Sequence, residues 1–598
     1  MKSEKLPLEI SFILLLCSGV TIIFSPSSFD SFVFPKFILL LVTGAWCLGL
    51  LVSCGPEIKR FRAFTLILFF FAIWFTFLLI RGEVFHTSLF GVQGRNMGYL
   101  SYLSLLVVSL LFCVKSSEIV LRRTILTFTF ASSLVVLYGG LQILSMDPIE
   151  WSLVYQGIIG NLGNPNFMSV VCALAGTCLF FWVFQDGVTK PLKGISLVGL
   201  LLAGIGVHNT KATQGWIVLA IGVTPLIYLF IERLGKLLAK VFALSIAVSA
   251  TFVSLAIFNV GPLAGLIYQQ SLAYRADFWS IAWRMATSNP FFGVGIDRFQ
   301  NYYREYRTLS QTQGVSTEDF SDSAHNLYLH LAATGGFPLA IIALAINIFV
   351  AFRFYVALKK ASEMQRYVAL IFGIWLGIQA QNLISIDYPS IALWSWIFSG
   401  IGVGLSCSEK NVKAVKTESL GLKYAGFFVS IAFTTSAVVI LSPAASAQSQ
   451  LRIGFYAYVE KGNQEAIKIK DEYLQNVERK EPRNPTLPLL TSNSLFQDGA
   501  FTEAANAARR AIKIDDHDYR TWWFLASSLE KLDKRPEAIQ ARKKTVELSP
   551  FNVSNLLELA KDQLSAGDIR GARVTREQIA KLNVNSSELA EIDELLKK

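Results

Sequence analysis

Charge is scarce in this sequence. Asp, Glu, Lys and Arg make up 16% of its 598 residues and hydrophobic types 53%, whereas a soluble globular chain carries about a quarter charged residues. A water-surrounded globule is thereby excluded. Cysteine offers no framework either: Cys17, Cys47, Cys54, Cys113, Cys172, Cys178 and Cys407 all fall in or beside hydrophobic runs, and none has C-x-x-C spacing. Neither a metal site nor a disulfide network is expected from such spacing. No P-loop, nucleophile elbow or metal-ligand set is present, so no cofactor and no metal are expected. Histidine is limited to five residues.

What is present is apolar length. Runs of roughly 18 or more mostly apolar residues, enough to cross a bilayer as a helix, recur up to about residue 442. Hydropathy places about thirteen spans near 8–25, 32–53, 63–80, 97–114, 124–145, 165–185, 194–208, 213–231, 238–258, 325–352, 367–385, 391–407 and 422–442. The first has no small-x-small cleavage site after it and reads as a retained helix. The net charge of +11 then serves topology rather than nucleic acid, which is not an expected partner. Alternate loops are basic, at 59–62, 115–123, 190–193, 233–240, 353–366 and 410–423. With the N-terminus in the cytoplasm, all of these fall on the cytoplasmic side. The loops at 26–31, 81–96, 146–164, 209–212, 259–324 and 386–390 face outward, as does everything after the last span.

That tail, 446–598, is polar and repeats every 34 residues. Ala504, Ala538 and Ala572 align at this period, as do Gly499, Asp533 and Gly567. Such a period with small residues at packing positions is that of tetratricopeptide helix pairs, and residues 455–484 look like one further, irregular pair. The expected fold is all-α: a polytopic membrane helical bundle (1–442) followed by a soluble α-solenoid (446–598). Repeats of this kind bind partners, so chemistry is expected in the membrane part, with a protein partner on the tail.

Polar residues at the outward ends of membrane helices need partners or a cavity. Four groups qualify: Gly91-Val92-Gln93-Gly94-Arg95-Asn96-Met97-Gly98-Tyr99, Gly160-Asn161-Leu162-Gly163-Asn164-Pro165-Asn166-Phe167, His208-Asn209-Thr210-Lys211-Ala212-Thr213-Gln214-Gly215-Trp216, and the stretch 271–336 with Arg275 and His325 near its ends. Arg95, Lys211 and Arg275 meeting on one face would suit a diphosphate. His325 could take a proton from an attacking hydroxyl, and Asp322, three residues earlier, could orient its ring if the segment is helical. Plainer readings stand beside these. Arg284, Arg298, Arg304 and Arg307 serve equally as headgroup anchors or as the rim of an entrance. Asn164 and Asn166 serve as caps around Pro165, and Asp322 as another cap. His208 and His330 read as structural, His86 and His517 as solvated surface.

The loop motifs resemble the O-antigen ligase and polymerase superfamily. The matching residues are Arg275-Ala276-Asp277-Phe278-Trp279, Asn289-Pro290-Phe291-Phe292-Gly293-Val294-Gly295 with Phe299, and His325-Asn326-Leu327-Tyr328-Leu329 with Gly335-Gly336. Gly163-Asn164-Pro165-Asn166 and Gly94-Arg95-Asn96-Met97-Gly98 also look like family elements. The resemblance implies an inverting, metal-independent glycosyltransferase in the bacterial inner membrane, with a glycan on undecaprenyl diphosphate as donor. His325 would then be the catalytic base or the group that positions the acceptor, and Arg275 the donor diphosphate ligand, with Arg95 and Lys211 assisting and Asp322, Asn326, Asn164 and Asn166 in support. The chain departs from the family where a Ser-Arg-Gly-like element is usual, having Lys211-Ala212-Thr213-Gln214-Gly215-Trp216 there, with Lys211 able to supply the missing charge. The acceptor is left open between lipid A core in lipopolysaccharide biosynthesis, a further polysaccharide repeat, and a protein side chain. A transporter or membrane scaffold is the reading of another class; transporters place ionisable groups near mid-membrane and show paired broken helices, whereas these charges gather at one face.

The orientation has a direct check. A cysteine placed near Ser494 should react with a membrane-impermeant thiol reagent in intact spheroplasts, and protection there would overturn the odd number of spans.

Overall fold

In hydrocarbon no water satisfies backbone amides, so each apolar run must close its own hydrogen bonds as a helix. The computed structural model describes residues 6–151, 156–257, 259–267, 270–314, 320–360, 363–407, 420–460, 462–582 and 586–596, and among them every regular element is a helix. Ten helices are long and apolar enough to cross a membrane, and Leu8–Ile22 and Tyr99–Val114 are shorter apolar ones. Together with Gln365–Asn382 they account for every expected span. The protein is a multi-pass membrane protein. The part of the expected basic loop at 410–419 lies outside the described residues.

The helices bury one apolar face and leave another apolar face outward, as a lipid-surrounded bundle requires. In Arg62–Arg81 the residues Phe64, Leu68, Phe71, Phe75 and Leu78 are buried at three- and four-residue steps, while Phe69, Phe70, Ile73, Phe77 and Ile80 are exposed. Pro389–Ser406 is the central helix, buried along nearly its whole length. Its Gly400 and Gly404 lie so close to Tyr99–Val114 and the residues after it that an added Cβ would collide with the Ser109 carbonyl and with Ser116 Oγ. Small residues here let backbones approach where no hydrophobic effect drives the helices together.

Two helices place the outer loops and the repeats. Leu327–Lys360 is broken at Gly336, where φ is 78°. The turn 289–295 packs into the break: Val294 N donates to Ala333 O at 2.8 Å and Phe337 N to Pro290 O at 2.8 Å. The second is Leu420–Tyr456, 37 residues long, or about 55 Å at 1.5 Å per residue. It runs straight through the boundary expected at 442–446, and its end packs Ala447 and Leu451 against Leu474, Val477 and Leu487. The one helix found in 455–484 beyond it, Gln464–Glu478, packs both on the end of this long helix and on the next helix, Thr486–Gln497.

The polar segment then continues as the antiparallel pairs Thr486–Gln497 with Phe501–Ile514, Tyr519–Lys531 with Arg535–Leu548, and Val553–Ser565 with Ile569–Lys581. Ala504, Ala526, Ala538, Ala560 and Ala572 are fully buried at the helix crossings. The aligned turn residues Gly499, Asp533 and Gly567 all take the left-handed conformation, with φ of 79°, 56° and 79°. That conformation explains the glycines at this register, and aspartate is among the few other residues that tolerate it. Ser494 is buried, so Gln497, exposed three residues later, is the better position for a topology cysteine.

Candidate active site

The loops expected on the outer side meet at one end of the bundle, and a buried charge cluster sits among them. Gly91 and Gly94, with φ of 87° and 88°, and Asn96, with φ of 50°, fold residues 91–98 into a tight entry to Tyr99–Val114. This turns Arg95 inward, where it is 7% exposed. Its Nη1 donates to the Asp322 carbonyl at 2.9 Å, and its Nη2 lies 3.1 Å from His330 Nε2 and 3.4 Å from Asp297 Oδ1. Asp297 also accepts from the Val92 amide at 2.8 Å. Burial pushes the Asp297 carboxyl up, but Arg95 and His330 outweigh it and hold it below the usual carboxylate range.

His325 lies next to this cluster. Its φ of 47° and the non-helical run 321–326 show that Asp322 and His325 do not share a helix face, so the helical pairing considered for them does not occur. The cap of the following helix is Asn326 rather than Asp322: Asn326 Oδ1 accepts from Leu329 N at 3.0 Å, and its Nδ2 donates to Leu383 O at 3.0 Å. The His325 ring instead stacks on Phe278 at 5.4 Å between centroids, and its carbonyl accepts from Trp279 Nε1 at 3.4 Å. Arg275, Phe278 and Trp279 lie on one helix, Gln270–Ser288, at i, i+3 and i+4, so the helix presents the cation and the imidazole platform on the same face.

Arg275 and Arg95 are in opposite situations. Burial lowers the half-buried Arg275 guanidinium from its ordinary value, and among the described residues no carboxylate offsets that shift. His325 is held at about 4, first by burial; Asp322 opposes this, while the charges of Arg275, Arg95 and His330 add to it. The imidazole is therefore neutral near pH 7, beside a guanidinium that has no counter-ion among the described residues.

A second group forms around Asn164. Its Oδ1 accepts from Asn166 N at 2.8 Å, capping the helix that starts at Pro165, as the plainer reading has it. Gln214 Nε2 donates to Asn166 O at 2.9 Å, which joins this cap to the turn bearing Lys211. Lys211 is exposed, with φ of 60°, and among the described residues no hydrogen bond or ion pair joins it to Arg95, Arg275 or His325, so the expected meeting of the three cations is not seen. Tyr388 is the joint: its hydroxyl donates to Leu162 O at 3.0 Å, its ring lies 4.4 Å from Phe167, and the neighbouring Asp387 accepts from Tyr102 Oη at 2.9 Å. Burial pushes the Asp387 carboxyl up to about 6.

Sequence reasoning passed over Asp297, Asp387 and the polar partnership of His330. Asp297 had a usable signal, as an isolated acid between Gly295 and Arg298 in an arginine-rich loop. Two other expectations need correction. Arg298 and Arg304 are 2% and 6% exposed, hence not headgroup anchors, because they face the repeat helices. His86 and His517 are not solvated surface either, since His86 Nε2 lies 3.1 Å from Glu481 Oε1, and His517 stacks on Tyr302 at 3.9 Å.

Comparison of this chain with known proteins gives one family. The family described as O-antigen ligase matches residues 198–344, a segment that holds Lys211, Arg275, Asp297, Asp322, His325, Asn326 and His330 but not Arg95 or Asn164. Among curated proteins none matches. A solved structure titled "Crystal structure of APC/C hetero-tetramer Cut9-Hcn1" shares 13% identity over 84% of this chain and 90% of its own, with a TM-score of 0.23, a similarity too low to carry any argument.

The cluster makes a stability prediction. Asp297→Asn leaves Arg95 buried without its charge partner and should lower the unfolding free energy by roughly 3 kcal/mol, read as a lower melting temperature of the purified protein. An unchanged melt would mean that the pair contributes nothing.

Proposed function

We propose that the protein is a membrane glycosyltransferase of the O-antigen ligase type, which moves a glycan from undecaprenyl diphosphate onto an acceptor hydroxyl at the periplasmic face of the bacterial inner membrane. The observation that carries this reading is the face shared by Arg275 and the platform of His325, a cation without a counter-charge among the described residues beside a neutral base. The family match over 198–344 supports it.

In the proposed reaction the acceptor hydroxyl attacks the anomeric carbon, forming the new glycosidic bond as the bond from that carbon to the diphosphate oxygen breaks. A single displacement of this kind inverts the anomeric centre. The hydroxyl proton passes to the His325 imidazole, and the bonding electrons leave with the diphosphate, whose negative charge Arg275 meets with its planar fork. Arg95 acts from beneath, holding the Asp322 carbonyl and hence the residues that lead into His325. Lys211 belongs to the neighbouring turn and is assigned to the outer part of the donor. Asn326, Asn164 and Asn166 keep the three loops in register. A lipid A core acceptor is the reading put first; a polysaccharide repeat or a protein side chain would use the same chemistry.

Donor binding also tunes the base. Arg275 depresses the His325 proton affinity, so an anionic diphosphate beside Arg275 cancels that effect and makes the imidazole a better base once the donor is seated. The test supplies labelled lipid-diphosphate glycan to the purified protein and identifies which molecule becomes labelled. His325→Ala and Arg275→Ala should each lower transfer by about a hundredfold or more while leaving the protein folded and inserted, and full activity in either variant removes that residue from the mechanism. Protonated His325 cannot accept the hydroxyl proton, so kcat/KM should fall as pH drops through about 4 rather than 6.5. The acid limb of kcat should lie at higher pH than that of kcat/KM.

A further inference from the structure

The arginine-rich loop is gripped by the repeats of its own chain. Arg298 Nη2 donates to Asp515 Oδ1 at 2.7 Å, and Asn301 Nδ2 to Asp515 Oδ2 at 3.1 Å. Both partners of the ion pair are buried, with side chains 3% and 5% exposed. Arg298 also reaches Glu83 at 2.7 Å. Around this pair, His517 bonds Glu305 at 2.9 Å and the Arg304 guanidinium lies 4.4 Å from the Tyr519 ring centre. A buried ion pair specifies position because neither charge can move away from the other without being left unpaired in a dry setting.

The residue beside Arg298 in the chain is Asp297, the acid that pairs with Arg95. We propose that Asp515 is a positioning residue for glycan transfer: through Arg298 it sets the place of Asp297, and with it Arg95 and the segment leading to His325. The tetratricopeptide repeats thus have a bound peptide built into the chain, the loop 298–309, and act as a brace for the reaction site. Three features support this over a plain tether. The pair is buried, it falls at the one point of the loop adjacent to the charge cluster, and Asp515 takes two bonds from two different loop residues. The proposal rests on the reading of the site given above.

The test compares Asp515→Asn, the milder Asn301→Ala, and Asp516→Asn as a control that removes an exposed charge one residue away, all in the full-length protein. Hydrogen exchange should speed up at 92–98 and 325–333 in Asp515→Asn, less so in Asn301→Ala, and not in the control. In transfer assays kcat should fall by about tenfold to a hundredfold with KM for the lipid donor little changed. The acid limb of kcat/KM should rise toward the ordinary histidine range as Arg95 leaves its place beside His325. Asp515→Glu, which keeps the charge, should recover part of the loss. If Asp515→Asn does not fold, Asn301→Ala alone decides, by the same signs. Unchanged exchange at 92–98 and 325–333 in the folded variants would falsify the brace, even if transfer declines. Faster exchange there, with no transfer by the unaltered protein, would instead uphold the brace and reject the assigned reaction.

Discussion

A guanidinium taken out of water has to be paired, and that requirement organises the loop-bearing end of this bundle. Arg95 is buried at the entrance to one membrane helix, and its counter-charge, Asp297, comes from a loop about two hundred residues away in the chain. The pairing draws the loop down onto the helix ends. The same guanidinium holds the Asp322 carbonyl and His330, so the approach to His325 and the first turn of the broken helix are located by one side chain. Loss of either charge leaves the other without water or partner, a cost of several kcal/mol in general.

Against that satisfied arginine, Arg275 is conspicuous for what surrounds it. Arg95 has a carboxylate, a carbonyl and an imidazole; Arg275 has a half-buried setting and no carboxylate to offset it among the described residues. A cation kept in that condition is ready for an anion brought from outside, and the diphosphate of a lipid-linked glycan would supply one. The neighbouring imidazole is kept neutral by burial and by these same cations. One arginine has a carboxylate partner among the described residues and the other has none, and the difference lies in their neighbours, not in their residue type.

The repeats belong to the same arrangement of charge. Arg298 looks from its sequence like another headgroup anchor, yet it is buried against Asp515 and Glu83. The long helix Leu420–Tyr456 carries the chain without a break from the bundle to the first repeat helices, which brings the solenoid over the loop. The continuous helix and the ion pair together make the repeats a part of the loop's environment.

Much of the architecture was legible in the sequence. Spans follow from apolar length, and the repeats from a 34-residue period with small residues at the crossings, because both depend on local chain geometry that repeats along the sequence. His325 and Arg275 could be singled out by their motifs, and Asn164 by the cap it makes with Pro165. Partnership was not legible. Asp297, His330, Asp515 and His517 acquire their roles only from residues far away in the chain, and a left-handed turn at His325 replaced the helix that would have joined it to Asp322. The sequence by itself determined which segments enter the membrane and which repeat, since the hydrophobic effect and helix periodicity act on neighbours. Tertiary structure alone decided which arginine meets a carboxylate among the described residues and which does not, since the cost of burying a charge depends on what the fold brings beside it.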